Sequence, residues 1–258
     1  GDSLESIEGC LTDAQYNRDE HRKAVIDDIL DNWVSQSHNG KFHAILATSS
    51  IPEAIKYYKL FAQRDCGLKT TAVFDPSDGN NESSIEKIDG IAQMLEDYNS
   101  LFGTCFNISG YASFKRDVCA RLAHKTPYTA VENEPSKCLD ILIVVDQMLT
   151  GYDSKWLNTL YMDKFYKWSN IEMIIQAFSR TNRVFNDDKP HGIIRYYRRP
   201  YTMKNIIEYA FEQYSGQKPY GIFVAKLIQN LENMNAAFSD INDIFKIAGI
   251  PDFFKTSR

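Results

Sequence analysis

The run Leu139 to Val145, LDILIVV, constrains the fold of this chain more than any other stretch. It is almost wholly apolar and does not alternate, so it suits a strand covered on both faces. Such strands belong to parallel sheets enclosed by helices. Phe42 to Thr48, Leu68 to Phe74, Thr159 to Met162 and Ile193 to Tyr197 read as further strands. Helical patterns lie between them. Tyr16 to Trp33 carries Val25, Ile26, Ile29, Leu30 and Trp33 on one face and is closed by Asn39-Gly40. Ser50-Ile51-Pro52-Glu53 is a capping-box arrangement that opens a helix to about Ala62. Ser84 to Tyr98 and Ala112 to Leu122 follow. Alternating strands and helices predict an α/β fold with a mostly parallel sheet. After Pro200 only helical patterns remain, at Ile206–Tyr214, Phe223–Met234 and Ile241–Ile247. The expected organisation is a linker and leading helix over 1–38, the sheet domain over 39–200 and a helical extension over 201–258.

The 258 residues are 43% hydrophobic and 24% charged, a globular composition, and the net charge of -5 argues against a free-standing, generic nucleic-acid binder. The five cysteines are widely spaced and form no CxxC pair, so they read as reduced thiols of a cytoplasmic protein. No apolar run reaches membrane-spanning length. The chain opens on Gly1 and is expected to be a segment of a longer polypeptide.

Three constellations carry chemistry. Gln176-Ala177-Phe178-Ser179-Arg180-Thr181-Asn182-Arg183 puts an amide and two guanidiniums at spacings of four and seven, which share a helix face. Ile174, Phe178, Thr181 and Phe185 then face the core. Paired arginines suit concentrated negative charge such as a nucleotide triphosphate, and a solvated amphipathic helix gives the same pattern. Asp146 to Asp153 follows the central strand. In it Gly151 allows close backbone approach, while Thr150 and Asp153 offer a hydroxyl and a carboxylate where a ligand of a parallel sheet is expected, beyond the carboxyl ends of the strands. Ser49-Ser50 leaves a strand and enters a helix, whose free N–H groups would accept a DNA phosphate or merely be capped by Ser50. The cluster Arg195, Arg198, Arg199 and Lys204 suits either a DNA-backbone track or a solvated surface. The calcium-loop-like stretch from Asp75 to Glu86 holds Asn80 where glycine is needed, and Asp19-Glu20-His21-Arg22 only superficially matches a DExH box.

In chain order, the three elements resemble motifs IV, V and VI of superfamily-two helicases and translocases. The nearer resemblance is to the R subunit of type I restriction enzymes. It is carried by Thr150-Gly151-Tyr152-Asp153, by Leu157 to Lys164 and above all by Gln176 to Arg183. It covers roughly residues 16–200. Ser179, where many superfamily-two members have glycine, favours the restriction subunit, whereas Ser154-Lys155 departs from the Ala-Pro of many members. There is no GxxxxGK[ST] phosphate loop and no nuclease-like acidic cluster. The resemblance therefore implies a RecA-like second lobe alone, of the P-loop NTPase type. A first lobe holding most of ATP and Mg²⁺, and a nuclease domain, would lie upstream.

The resemblance also implies roles. Arg183 is the arginine finger, Arg180 a second phosphate contact, and Gln176 orients the attacking water or senses the γ-phosphate. Gly151 and Asp153 serve the ribose side or couple it to DNA. Ser49, Ser50 and Thr150 hold the backbone of one strand of duplex DNA. Methyltransferase and specificity subunits are the implied partners. Two other readings fit the same residues: the second lobe of another superfamily-two helicase or remodeller, and a non-catalytic RecA-like scaffold.

Overall fold

The computed structural model describes residues 4–64, 66–75, 84–145, 152–214 and 239. The chain divides into two compact units, Gly1–Ile207 and Glu208–Arg258. The second is described only at 208–214 and at Ser239, so Phe223–Met234 and Ile241–Ile247 lie outside the described residues.

Five parallel strands form one sheet in the order β2-β3-β1-β4-β5. They are β1 (His43–Thr48), β2 (Thr70–Val73), β3 (Ile141–Val144), β4 (Leu157–Asp163) and β5 (Ile193–Tyr196). The helices are α1 (Leu4–Cys10), α2 (Asp13–Tyr16), α3 (Asp19–Gln36), α4 (Ile51–Gln63), α5 (Ser84–Phe102), α6 (Tyr111–Leu122), α7 (Ile171–Ser179) and α8 (Pro200–Tyr214). The fold is α/β, a parallel sheet flanked by helices as in RecA-like lobes. The LDILIVV strand, β3, is interior but one place from the middle, which β1 occupies. Every residue of β1, β3 and β4 is buried, whereas the edge strand β5 is half-buried throughout.

Local chemistry explains the start of α4 and the end of α3. Ser50 caps α4 by accepting from Glu53 N–H, and Pro52 sits in the first turn where its missing N–H costs nothing. Ile51, Ala54, Tyr57, Tyr58 and Phe61 then face the core. Glu53 does not complete the capping box, because its carboxylate is drawn to Arg22. At the end of α3, His38, Asn39 and Gly40 take positive φ and turn the chain into β1.

The N-terminal segment, expected as a linker, carries α1 and α2. The reason is tertiary. Glu8 is buried and accepts from Thr202 N–H at 2.9 Å, Thr202 Oγ1 at 2.7 Å and Tyr201 N–H at 2.5 Å, so it caps the start of α8 from a distant segment.

The carboxyl end of β4 carries a buried charge network. Asp163 is fully buried and accepts from Arg198 Nε and Nη2 at 2.9 Å each and from Tyr57 OH at 2.9 Å; it also pairs with His21 Nε2 at 2.7 Å. Next to it, Arg22 donates to Glu53 at 2.8 and 2.6 Å, to Asp19 at 2.6 Å and to the Asn17 carbonyl at 2.6 Å. Thus, of the false DExH residues, His21 ties α3 to the sheet and Arg22 ties it to α4. The basic cluster expected as a surface or DNA track is largely consumed by the fold. Arg198 is buried on Asp163, Arg195 pairs with Asp28, and Arg199 reaches the Leu11 carbonyl and Asp13.

Burial alone would push the Asp163 carboxyl up. Hydrogen bonds from His21 and Arg198, with the Arg198 charge, outweigh it and hold the group below the usual carboxylate range. A lowered folded value means that this stabilisation is present above the unfolded pKa of ~3.9 and lost as pH falls through the folded value. Asp163→Asn leaves Arg198 buried without a counter-charge and is expected to lower unfolding free energy by about 3–5 kcal/mol. Urea unfolding at pH 7 and pH 3 checks this, since the variant should also lose less stability than wild type on acidification.

Candidate nucleotide-facing edge

The residues singled out by sequence fall at the two ends of the sheet. Ser49, exposed, and Ser50, half-buried, follow β1 at its carboxyl end. Tyr152, Asp153, Arg180 and Arg183 gather at the amino end, a separation along β1 of roughly 17 Å. The expectation that Asp153 lies beyond the carboxyl ends is therefore corrected. Because β3 and β4 are parallel, the connection from 145 to 156 must carry the chain back to the start of β4. Tyr152 and Asp153 are on the returning part, while Thr150 and Gly151 lie outside the described residues.

Helix α7 makes the same return journey from the far end. It leaves the carboxyl end of β4 and its nine residues descend about 13 Å. Ile174, Ala177 and Phe178 are its buried face, and Gln176 is exposed on the other side. The helix ends at Ser179, earlier than the sequence pattern predicts. Beyond it, Arg180, Thr181 and Asn182 continue as tighter turns, with N–H groups donating three residues back. Thr181 is buried, donates through Oγ1 to the Phe178 carbonyl at 3.0 Å, and is wedged against Gly192. A Cβ at Gly192 would lie 2.4 Å from Thr181 Cβ and 2.5 Å from its carbonyl oxygen, so glycine is what lets this turn close.

This arrangement joins the two motif regions. Arg183 forms an ion pair with Asp153, both side chains about half exposed, and Arg180 Nη1 donates to the Tyr152 carbonyl at 3.1 Å. The 152–156 segment is itself clamped. The Tyr152 hydroxyl and His43 Nε2 are hydrogen-bonded at 3.0 Å, Ser154 Oγ donates to the Leu122 carbonyl at 3.2 Å, and His43 N–H donates to the Trp156 carbonyl at 3.1 Å. Burial, with His124 and Lys189 nearby, pushes the His43 imidazole well below its usual range, so it is neutral at pH 7. Past Arg183 the chain makes a tight antiparallel turn in which Phe185 and Lys189 exchange backbone hydrogen bonds at 3.0 and 3.1 Å. Phe185 packs on Phe42 and Trp156, and Lys41 pairs with Asp188.

Chemically, this edge presents two guanidiniums on a fixed backbone. Among the described residues, one is held only by an exposed carboxylate. Such a surface pair contributes about 0–1 kcal/mol, so Arg183 can exchange Asp153 for a phosphate at little cost. Sequence reading found Arg180, Arg183 and Asp153 but missed Lys189, His43 and Gly192. No local pattern marks these three, because their roles arise from contacts between distant segments. Among the described residues no helix is long and apolar enough to cross a membrane.

The family model for type I restriction enzyme subunit R domain 3 matches residues 40–199. The chain is 33% identical over 203 residues to the type I restriction enzyme SsaAORF53P endonuclease subunit of Staphylococcus saprophyticus, covering 75% of this chain and 21% of that protein. It is 31% identical over 200 residues to the SauMRSORF196P endonuclease subunit of Staphylococcus aureus, covering 74% and 20%. Over 125 residues it is 30% identical to the putative type I restriction enzyme MjaIXP endonuclease subunit of Methanocaldococcus jannaschii, covering 48% and 11%. The chain spans about a fifth of the length of the staphylococcal relatives. Its matched region, 160 residues from 40 to 199, is more than half of the chain, and the chain therefore belongs to the type I restriction enzyme R subunit family.

Proposed function

We propose that residues 39–200 are the second motor lobe of an ATP-dependent DNA translocase within a type I restriction endonuclease. The observation that carries this reading is the meeting of Arg183 with Asp153 and of Arg180 with the Tyr152 carbonyl. An exposed arginine, loosely held on a rigid turn, suits insertion toward a phosphoryl group bound by another lobe. There it neutralises charge that develops in the transition state. The edge offers cationic donors, which fit the phosphates of ATP. Mg²⁺ would be held mainly by carboxylates of the first lobe. Gln176, exposed on α7, is assigned to orient water or sense the γ-phosphate, and Gly151 and Asp153 are assigned to the ribose side.

Ser49, Ser50 and Thr150 are assigned to the DNA backbone. The exposed Ser49 and the first turn of α4 suit that role, at the end of the sheet away from the arginines. A lobe with nucleotide at one end and duplex DNA at the other converts lobe closure into movement along the strand. The first lobe, the nuclease domain, and the methyltransferase and specificity subunits are the partners, in the cytoplasm.

In the full-length subunit, Arg183→Ala is expected to lower DNA-stimulated ATP hydrolysis by roughly 10³-fold or more, about 4 kcal/mol, with DNA loading retained. Wild-type turnover in that variant would sink the assignment. The isolated 258-residue chain should show no ATP turnover in a phosphate-release assay; turnover would mean that the lobe works alone. Gly192→Ala should push the 180–183 turn outward, costing about 1–3 kcal/mol in thermal unfolding and up to ~10²-fold in kcat.

A further inference from the structure

Lys189 is fully buried, yet among the described residues its ammonium donates to a single acceptor, the Lys155 carbonyl at 3.2 Å. No carboxylate among the described residues pairs with it. The charged and titratable groups that act on it are Arg183, which pairs with Asp153, and His43 of β1, on which the His124 charge also acts. The ammonium of Lys155 lies over the Trp156 and Phe185 rings, and the Lys41–Asp188 pair closes the tight turn. Burying an ammonium without a counter-charge is costly, and an apolar side chain of the same length would relieve that cost. Fixing one backbone carbonyl does not require a charge. What a charge adds is a field on its neighbour Arg183.

We infer that Lys189 is a positioning residue of the arginine edge: its buried ammonium pins the 152–156 segment through the Lys155 carbonyl and, by repelling Arg183, holds that guanidinium outward against Asp153, ready for an incoming phosphate. The inference rests on the nucleotide-facing reading of this edge. Burial, reinforced by the Arg183 charge, brings the Lys189 ammonium down to about 8 from its ordinary value, so the field weakens as pH rises through that range. The sign for stability is the reverse. A lysine with a lowered folded pKa costs the fold most below that value, and the cost fades toward the unfolded pKa of ~10.4.

The test is DNA-stimulated ATP hydrolysis by the full-length subunit in its assembled complex, from pH 6.5 to 9.5, for wild type, Lys189→Met, Lys189→Arg and Arg183→Ala. Thermal unfolding and amide exchange of 152–156 are measured alongside. Lys189→Met should lower kcat about tenfold with little change in KM. Its melting temperature should rise by a few degrees, and exchange at 152–156 should increase. Wild-type kcat should fall as pH passes about 8. That limb should be absent in Lys189→Met and displaced upward in Lys189→Arg, which should recover much of the rate. A purely structural lysine would give the opposite stability change and no altered pH limb. Wild-type kcat and pH profile in Lys189→Met, with Arg183→Ala inactive, overturn this inference alone. An active Arg183→Ala overturns the arginine-edge reading and the inference with it.

Discussion

Asp163 ends β4 with a carboxylate that no water reaches, and the first unit is organised around keeping it satisfied. Its partners come from three separate parts of the chain: His21 on α3, Tyr57 on α4 and Arg198 before α8. Each would be costly to bury alone. Together they exchange the loss of hydration for short, directional contacts, which makes the network sensitive to removal of any member. The same network fixes where α3 and α4 lie over the sheet. Because Arg22 and Glu53 form a second bidentate pair one turn away, the N-terminal helices belong to the same packed unit as the sheet.

Rigidity at the carboxyl end has a consequence at the amino end. Parallel strands force every connection to return, so α7 and the 145–156 stretch both deliver their last residues to the start of β4. An arginine turn and an acidic segment distant in sequence thereby become neighbours. The contact between them is weak and wet, whereas the backbones bearing them are held by buried contacts: Thr181 against Gly192, Tyr152 against His43, and Ser154 against Leu122. That combination suits a group that must change partners without moving its main chain. The stored cost lies beside it, in a lysine buried for its charge and not for its packing.

Much of this was legible in the residues themselves. LDILIVV and its companion runs gave five parallel strands with nearly the right limits, since an apolar, non-alternating run has few other stable homes. The Ser50 cap and the Asn39-Gly40 stop were equally readable because their hydrogen bonds and dihedrals are local. The run Gln176 to Arg183 showed its arginines, but not that the helix would end at Ser179. The tighter turns that follow are set by Gly192, more than ten residues away.

Sequence by itself determined the α/β class, the strand positions and the family, because hydrophobic periodicity and the QAFSRTNR run are properties of neighbouring residues. Only the tertiary structure decided which charges are surface and which are core. Arg198 and Arg183 look alike in the chain, yet one is sealed on Asp163 and the other pairs loosely with Asp153. The same holds for Lys189 and for the end of the sheet at which each candidate residue stands. The physical reason is that burial and counter-charge depend on segments far apart in sequence, brought together by the return of parallel strands.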